Sequence, residues 1–370
     1  MKLNKKFSNL VDVNIIKQLS NRDILIASSN KIKIYSINTF QNIYSFSEIK
    51  SPTISIKDIH EIKCSNNNDI ILSIFLSNNK FHIILLKINS KNNKKYSHKL
   101  LQSDIDKNIN CPEVCIDSFS NNLIVSVSHI IFYFEMIFEF GKYNLIKRQT
   151  YTIKVIPPLK IKAIKCLNHK NINYIITIEE TLYLHNNNTI SIFNLRIYYL
   201  DNLELITELN NLNLYLKETH MSLMTLFDID KPYLLVGDKN DKLIILKLYD
   251  DFNIYDEICL TKLIKEFTYN KFNKSENYEI KTLCGLNDGT FVVGIIYKLD
   301  NDKNNKTNYL IRGKINFKNK KFELLEINDN AHNNKSNFIT SSSMIKVNNK
   351  SNEFFLLTGD HEGMVKIWKF

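Results

Sequence analysis

Seven times along this chain an apolar strand, a short polar turn and a second strand of alternating side chains follow one another, and no other feature narrows the possible folds so far. The last instance is the clearest. Leu357-Thr-Gly-Asp-His-Glu-Gly-Met-Val-Lys-Ile-Trp-Lys-Phe370 reads as strand, tight acidic-glycine turn and strand, and it carries the chain's only tryptophan. The first is Ile24 to Tyr35, with Asn42 to Phe46 as an outer strand; the second is Ile70 to Phe75 and Phe81 to Ile88; the third is Leu123 to Val127 and Ile130 to Phe134. In the fourth, Tyr174 to Ile178 and Thr189 to Leu195 are separated by a stretch that reads as an extended turn. The fifth, Tyr233 to Leu248, turns at Asp238 to Asp241, and the sixth, Thr290 to Ile296 and Tyr309 to Ile315, holds a polar insertion over 299–307.

In front of most of these pairs lies one more short apolar strand, such as Ile54 to Ile59, Ile161 to Cys166, His220 to Leu226 and Ile280 to Cys284. Four strands per unit is the make-up of a propeller blade. Such a sheet cannot bury both faces alone and implies neighbours of its own kind. The expectation is an all-β fold, a single seven-bladed β-propeller over 1–370 with four-stranded antiparallel blades near 11–50, 51–95, 110–150, 158–210, 218–265, 278–325 and 332–370. The rival is a pair of stacked β-sandwich domains. The ring is preferred because the chain stops at Phe370, one strand short, and residues 2–10 can supply the missing strand, closing the circle and removing exposed edges.

Composition adds bounds rather than identity. Gly (8) and Pro (5) are scarce for a chain that must turn so often, and asparagine, which tolerates left-handed backbone, takes their place in runs such as Asn66-Asn67-Asn68 and Asn186-Asn187-Asn188. The formal charge is +11, yet all but four of the 49 basic residues are lysine; the arginines are Arg22, Arg148, Arg196 and Arg312. Phosphate and base recognition usually recruits arginine forks, so a solvated basic surface is the leading reading. Lysines gather at Lys91, Lys94, Lys95 and Lys99 and again at Lys314, Lys318, Lys320 and Lys321. The six cysteines show no C-x-x-C pair and read as core fillers. The sequence holds no secretory pattern and no apolar run of membrane-spanning length, which predicts an intracellular protein, cytoplasmic or nuclear.

Around the last strand pair, Gly359, Asp360, His361, Glu362, Gly363 and Trp368 resemble the repeat of the WD-repeat family of β-propellers over about thirty residues. Lys369 stands where that repeat ends in an acid, and Glu362 where its turn carries aspartate. The resemblance implies a hydrogen-bonded structural set made of the turn acid Glu362, Thr358 on the preceding strand, the upstream His332 and Trp368, with Gly359 and Gly363 shaping the turn. Elsewhere the pattern persists without the motif: Gly237, Asp238 and Asp241 keep the turn of the fifth unit, and Tyr35 stands in the tryptophan position of the first.

No catalytic arrangement is legible: there is no G-x-S-x-G, no H-E-x-x-H, no glycine-rich phosphate loop and no histidine pair at metal-ligand spacing. The sequence therefore predicts a non-enzymatic scaffold without cofactor, metal or small-molecule substrate, whose partners are other proteins of a larger complex. The alternative is a non-catalytic RNA-associated subunit using basic loops. Candidate contact segments are Leu195 to Lys217, Asp250 to Asn277 and Leu299 to Asn308; the first carries enough apolar side chains to be an outer strand instead.

Overall fold

The computed structural model describes residues 2–8, 12–47, 55–62, 70–77, 81–89, 97–103, 114–140, 142–153, 159–185, 188–212, 220–226, 231–237, 242–248, 254–260, 262, 277–285, 289–298, 306–316, 321–328, 331–332, 339–346 and 354–369. Strand β1 (Lys2–Ser8) precedes β2 (Ile15–Gln18), β3 (Ile24–Ala27), β4 (Ile32–Tyr35) and β5 (Asn42–Phe46). Then come β6 (Ser55–Ile62), β7 (Ile70–Ser77), β8 (Phe81–Asn89), β9 (Ser97–Ser103), and β10 (Val114–Phe119), β11 (Asn122–Val127), β12 (Ile130–Glu139), β13 (Lys142–Thr152). The next are β14 (Leu159–His169), β15 (Ile172–His185), β16 (Asn188–Tyr199), β17 (Leu205–Leu212), and β18 (His220–Leu226), β19 (Lys231–Gly237), β20 (Lys242–Lys247), β21 (Ile254–Cys259). Last are β22 (Asn277–Gly285), β23 (Thr290–Lys298), β24 (Lys306–Asn316), β25 (Lys321–Asn328), and β26 (Ile339–Lys346), β27 (Phe354–Asp360), β28 (Met364–Lys369).

These strands make seven four-stranded antiparallel sheets, the blades of a seven-bladed β-propeller. Six follow chain order, and the seventh runs β1-β28-β27-β26, so the two ends of the chain share one sheet. There Phe7 pairs with Val365 and Leu3 with Trp368, with a register shift between Leu3 and Lys5.

Two compact units divide the chain: Met1–Gln18 with Leu214–Phe370, and Leu19–Asn213. Within each, strand alternation sends neighbouring residues into different cores. In the second unit Val125 joins Ile71, Leu85 and Phe134 on one side of its sheet, while Ile124 joins Ile161, Ile175 and Tyr198 on the other. In the first unit Val293 packs with Leu235, Ile245 and Tyr309, while Val292 packs with Ile339, Leu356 and Trp368. That is why β3 reads Ile-Leu-Ile-Ala with every residue buried: a middle strand has no solvent face. Each such isoleucine or leucine contributes about 1.5–3 kcal/mol.

Successive sheets are also tied by one repeated backbone bond. The start of a sheet donates to the β-turn of the sheet before it, in Val13 to Asp360, Ile56 to Ser29 and Ile161 to Ser128, at 2.7–2.9 Å. The approach is close: a Cβ on Gly359 would lie 2.3 Å from Val13 Cγ1, so only glycine fits there.

Two segments differ from their sequence reading. The fourth sheet has no extended turn. Instead β15 runs on to His185 and β16 begins at Asn188, because Leu182 to Leu184 keep strand alternation beyond the reach of β14. The second sheet takes β9, beyond residue 95, as its outer strand, whereas the stretch from Leu195 holds the outer strand β17 that its apolar side chains suggested. The Asp238 to Asp241 turn, most of the 250–277 segment and most of the 299–308 insertion lie outside the described residues. Cys166 is buried, whereas Cys259 is exposed and fills no core.

Removing Val365 to Phe370 strips β28 from between β1 and β27 together with the buried indole of Trp368. Urea unfolding followed by far-ultraviolet circular dichroism is expected to show no cooperative transition for this truncation, against a single sharp one for the whole chain. A truncation that unfolds cooperatively overturns the dependence of the last sheet on its shared strand.

Candidate functional site

The polar side chains of the last sheet are arranged in one buried line. Trp368 on β28 donates its indole N–H to Thr358 Oγ1 on β27 at 2.8 Å. Thr358 Oγ1 lies 2.9 Å from His332 Nε2, and His332 Nδ1 lies 2.8 Å from Asp360 Oδ2. All four residues are at most 4% exposed. A carboxylate only accepts, so Nδ1 carries the imidazole proton; Nε2 then accepts from the threonine hydroxyl, which in turn accepts from the indole. Every proton has one place, and the arrangement requires a neutral imidazole.

The electrostatics agree. Burial holds the His332 pKa below its ordinary value, against the hydrogen bond to Asp360, and Lys366 lowers it further. Burial would raise the Asp360 pKa, but hydrogen bonds from His332 and from the backbone N–H groups of Met364 and Glu362 outweigh it and hold it down. Lys366 donates to the Ala331 carbonyl at 2.6 Å and sits 5.8 Å from the Trp368 ring, pinning the segment that carries His332.

Thr358, Trp368 and His332 are thus brought together, and the acid facing His332 is Asp360, not Glu362. Glu362 is exposed at the turn tip and contributes its backbone N–H to Asp360 Oδ1 at 3.1 Å. The strand end at 360 reaches the core, and the turn tip two residues on does not. Gly363 takes φ 87°, which suits glycine, and Gly359 admits the close approach of Val13.

A second polar set joins the first strands of three consecutive sheets. Asp117 on β10 accepts the Cys166 backbone N–H of β14 at 2.8 Å and faces Lys165 at 3.7 Å and His60 of β6 at 3.6 Å. His60 also meets Asp58 at 2.9 Å. The Asp117 carboxylate holds the Lys165 amine above its ordinary range against the effect of burial, and burial pushes the Cys166 thiol well up.

A third set lies inside the fourth sheet. Glu179, fully buried, accepts from Thr177 at 2.8 Å, from Tyr198 at 2.9 Å and from Arg196, whose other arm reaches Glu208 at 3.0 Å. Burial raises the Glu179 pKa against the pull of Arg196. A buried pair of this kind holds geometry more than it adds stability. Sequence reasoning missed both sets, although the signal was there: Asp117 and Glu179 are acids inside otherwise apolar strands, and Arg196 is a rare arginine within one.

In all three sets the titratable groups point at each other and join strands or sheets. Among the described residues no group of three or more His, Cys, Asp or Glu is placed to hold a metal ion, and no helix is long and apolar enough to cross a membrane. Of the lysine clusters, Lys314 is exposed, and Lys91, Lys94, Lys95, Lys318 and Lys320 lie outside the described residues.

No protein-family model matches the chain, and no curated protein matches its sequence. Among solved structures, Raptor from Chaetomium thermophilum superposes over 98% of the chain at a TM-score of 0.64 and 10% identity. The chain spans 28% of that protein's length. The likeness is one of fold.

Two outcomes follow for the buried line. Thr358→Val leaves the indole N–H and His332 Nε2 without partners, and is expected to cost about 2–6 kcal/mol in urea unfolding, at about 1–3 kcal/mol per orphaned group. The pH dependence has a defined sign. With its folded pKa lowered, His332 contributes stability that is full above about pH 6.5, where the unfolded imidazole is neutral too, and is lost as pH falls from there toward the folded value. Asp360, also lowered, continues the loss in more acid solution. Unfolding midpoints measured from pH 8 to pH 5 are expected to drop below about pH 6.5, and His332→Gln to flatten that step.

Proposed function

We propose that this chain is a divergent WD-type propeller serving as a non-enzymatic scaffold, docking other proteins within a larger intracellular complex. The motif-level support is the buried line of Trp368, Thr358, His332 and Asp360, which matches the set that the WD resemblance implies, with the acid moved to 360. It acts as a fastening for the sheet, not as reactive chemistry.

The observation that carries the scaffold reading is where large apolar side chains meet solvent. Each sheet has an end at which its first strand passes to the second and its third to the fourth. In the unit Leu19–Asn213, Phe140, Ile172, Tyr199 and Leu205 are exposed at that end of two neighbouring sheets. In the other unit, Leu3 and Ile254 are exposed at the corresponding ends of their own sheets. Of the nine large apolar side chains exposed among the described residues, these six sit at one kind of sheet end, while Ile146, Tyr183 and Leu325 are exposed elsewhere; apolar side chains at such ends suit protein contact.

The test is affinity purification of the whole chain from its own cells, with and without nuclease and over a salt series. The expected result is a stoichiometric set of proteins retained after nuclease treatment. Recovery of the chain alone overturns the reading. Retention only through RNA, falling steeply as salt rises, replaces it with the RNA-associated alternative.

A further inference from the structure

Strand β1 is the least anchored strand of the sheet it completes. It lies outermost, against β28, and reaches that place from the other end of the sequence, whereas β26, β27 and β28 follow one another. Leu3, Asn4, Lys5 and Lys6 are all exposed, so neither face of the strand is covered there, and Phe7 is only partly buried. Outer strands of other sheets are held by buried side chains: Phe46 on β5, Tyr143 and Leu145 on β13, Ile258 on β21. The β1 register also breaks between Leu3 and Lys5, where the pairing passes over Asn4.

The pairing opposes like charges as well. Lys6 stands directly across from Lys366, and opposed residues of an antiparallel pair share a face. Lys366 is 8% exposed, and its Nζ donates to the Ala331 carbonyl. An ammonium has three donors, yet no carboxylate among the described residues forms an ion pair with this one. Burial holds its pKa below the ordinary value; Asp360 works against that, and the charge of Lys6 adds to it. Asp360 is itself committed to His332 and to the backbone N–H groups of Glu362 and Met364. The other charged side chains described in this sheet are Lys5, Lys346 and Lys369, with Glu362 at the turn tip. A nearly buried cation thus faces a second cation across a strand pair that has little else to hold it.

We propose that β1 is a detachable strap, and that the β28 edge beneath it accepts in its place an extended segment of a partner protein, with an acid opposite Lys366 and an apolar residue opposite Val365. The proposal rests on the scaffold reading for its partner and gives that partner a chemistry. β26, β27 and β28 keep their pairing and the buried line from Trp368 to Asp360 when β1 leaves. Backbone hydrogen bonds along a sheet edge suit any extended segment, and the side chains opposite choose among them. Phe7 shows that the place opposite Val365 takes an apolar ring. An acid one position before it supplies the ion pair that Lys366 lacks, where Lys6 repels. The β1 of a second copy is the poorer occupant, because it restores the same opposition of Lys6 to Lys366.

The experiments use the whole chain. Hydrogen exchange read by mass spectrometry is expected to show the amides of β1 exchanging at least about a hundredfold faster than those of β27, and slowing as salt screens the opposed lysines. Lys6→Glu is expected to slow β1 exchange by about tenfold. A dansyl-labelled peptide of residues 2–8 carrying Lys6→Glu then probes the edge, with energy transfer from Trp368, the chain's only tryptophan, as the readout. It is expected to bind at least about tenfold more tightly than the unaltered peptide, and about tenfold more weakly to a chain that itself carries Lys6→Glu. β1 exchange no faster than that of β27 overturns the strap. Equal binding of the two peptides, or binding of neither, overturns the acidic segment. A concentration-dependent dimer in sedimentation, with β1 protected from exchange only in the dimer, replaces the partner with a second copy and overturns the assignment. None of these results touches the affinity purification that tests the scaffold reading, so the two fail separately.

Discussion

The architecture depends on one constraint: the middle strands of these sheets are apolar on both faces and must be covered on both. β3 and β11 are buried at every position, and the alternation of Ile124 and Val125, or of Val292 and Val293, sends adjacent residues into separate cores. A lone four-stranded sheet with such strands would expose one apolar face to water at about 25 cal/mol per Å². Within each unit neighbouring sheets of the same kind cover such faces, and β1 pairs with β28 in one shared sheet.

The polar groups described in this interior mostly satisfy one another, the Nε of Arg196 being an exception. The line from Trp368 to Asp360 places each proton once, and its neutral histidine follows from burial. Asp117 works between sheets, taking a backbone N–H from one neighbour and facing a histidine of the other, while Glu179 and Arg196 work within one sheet. An unpartnered carboxylate in any of these places would be costly, so each set favours a single register. The frame becomes rigid through the same side chains that, in another setting, would suggest catalysis.

The legible parts of the sequence were those with a strong local signature. The strand pairs around Ile24 to Tyr35 and Leu357 to Phe370 are bounded by short polar turns and alternate strictly, and the sheets form there. Where the turn signal was weak the reading strayed. The separation between Ile178 and Thr189 suggested an extended turn, yet strand continues to His185 and resumes at Asn188. Position 362 attracted the role of turn acid from its place in the motif, although only position 360 sits at the buried end of a strand. Asp117 and Glu179 carry a local signal, an acid inside an apolar strand, but the groups that give each its role lie across a sheet or on a neighbouring one and cannot be read from the strand alone.

The sequence by itself determined the strand phrases, their number and the apolar alternation, since these depend only on period-two patterning and turn chemistry read over a few residues. Tertiary structure decided which acid meets His332, which strand covers each edge and which apolar side chains stay in solvent. Those outcomes depend on register and on the approach of segments hundreds of residues apart, such as Val13 against Gly359, where a Cβ added to the glycine would lie 2.3 Å from Val13 Cγ1.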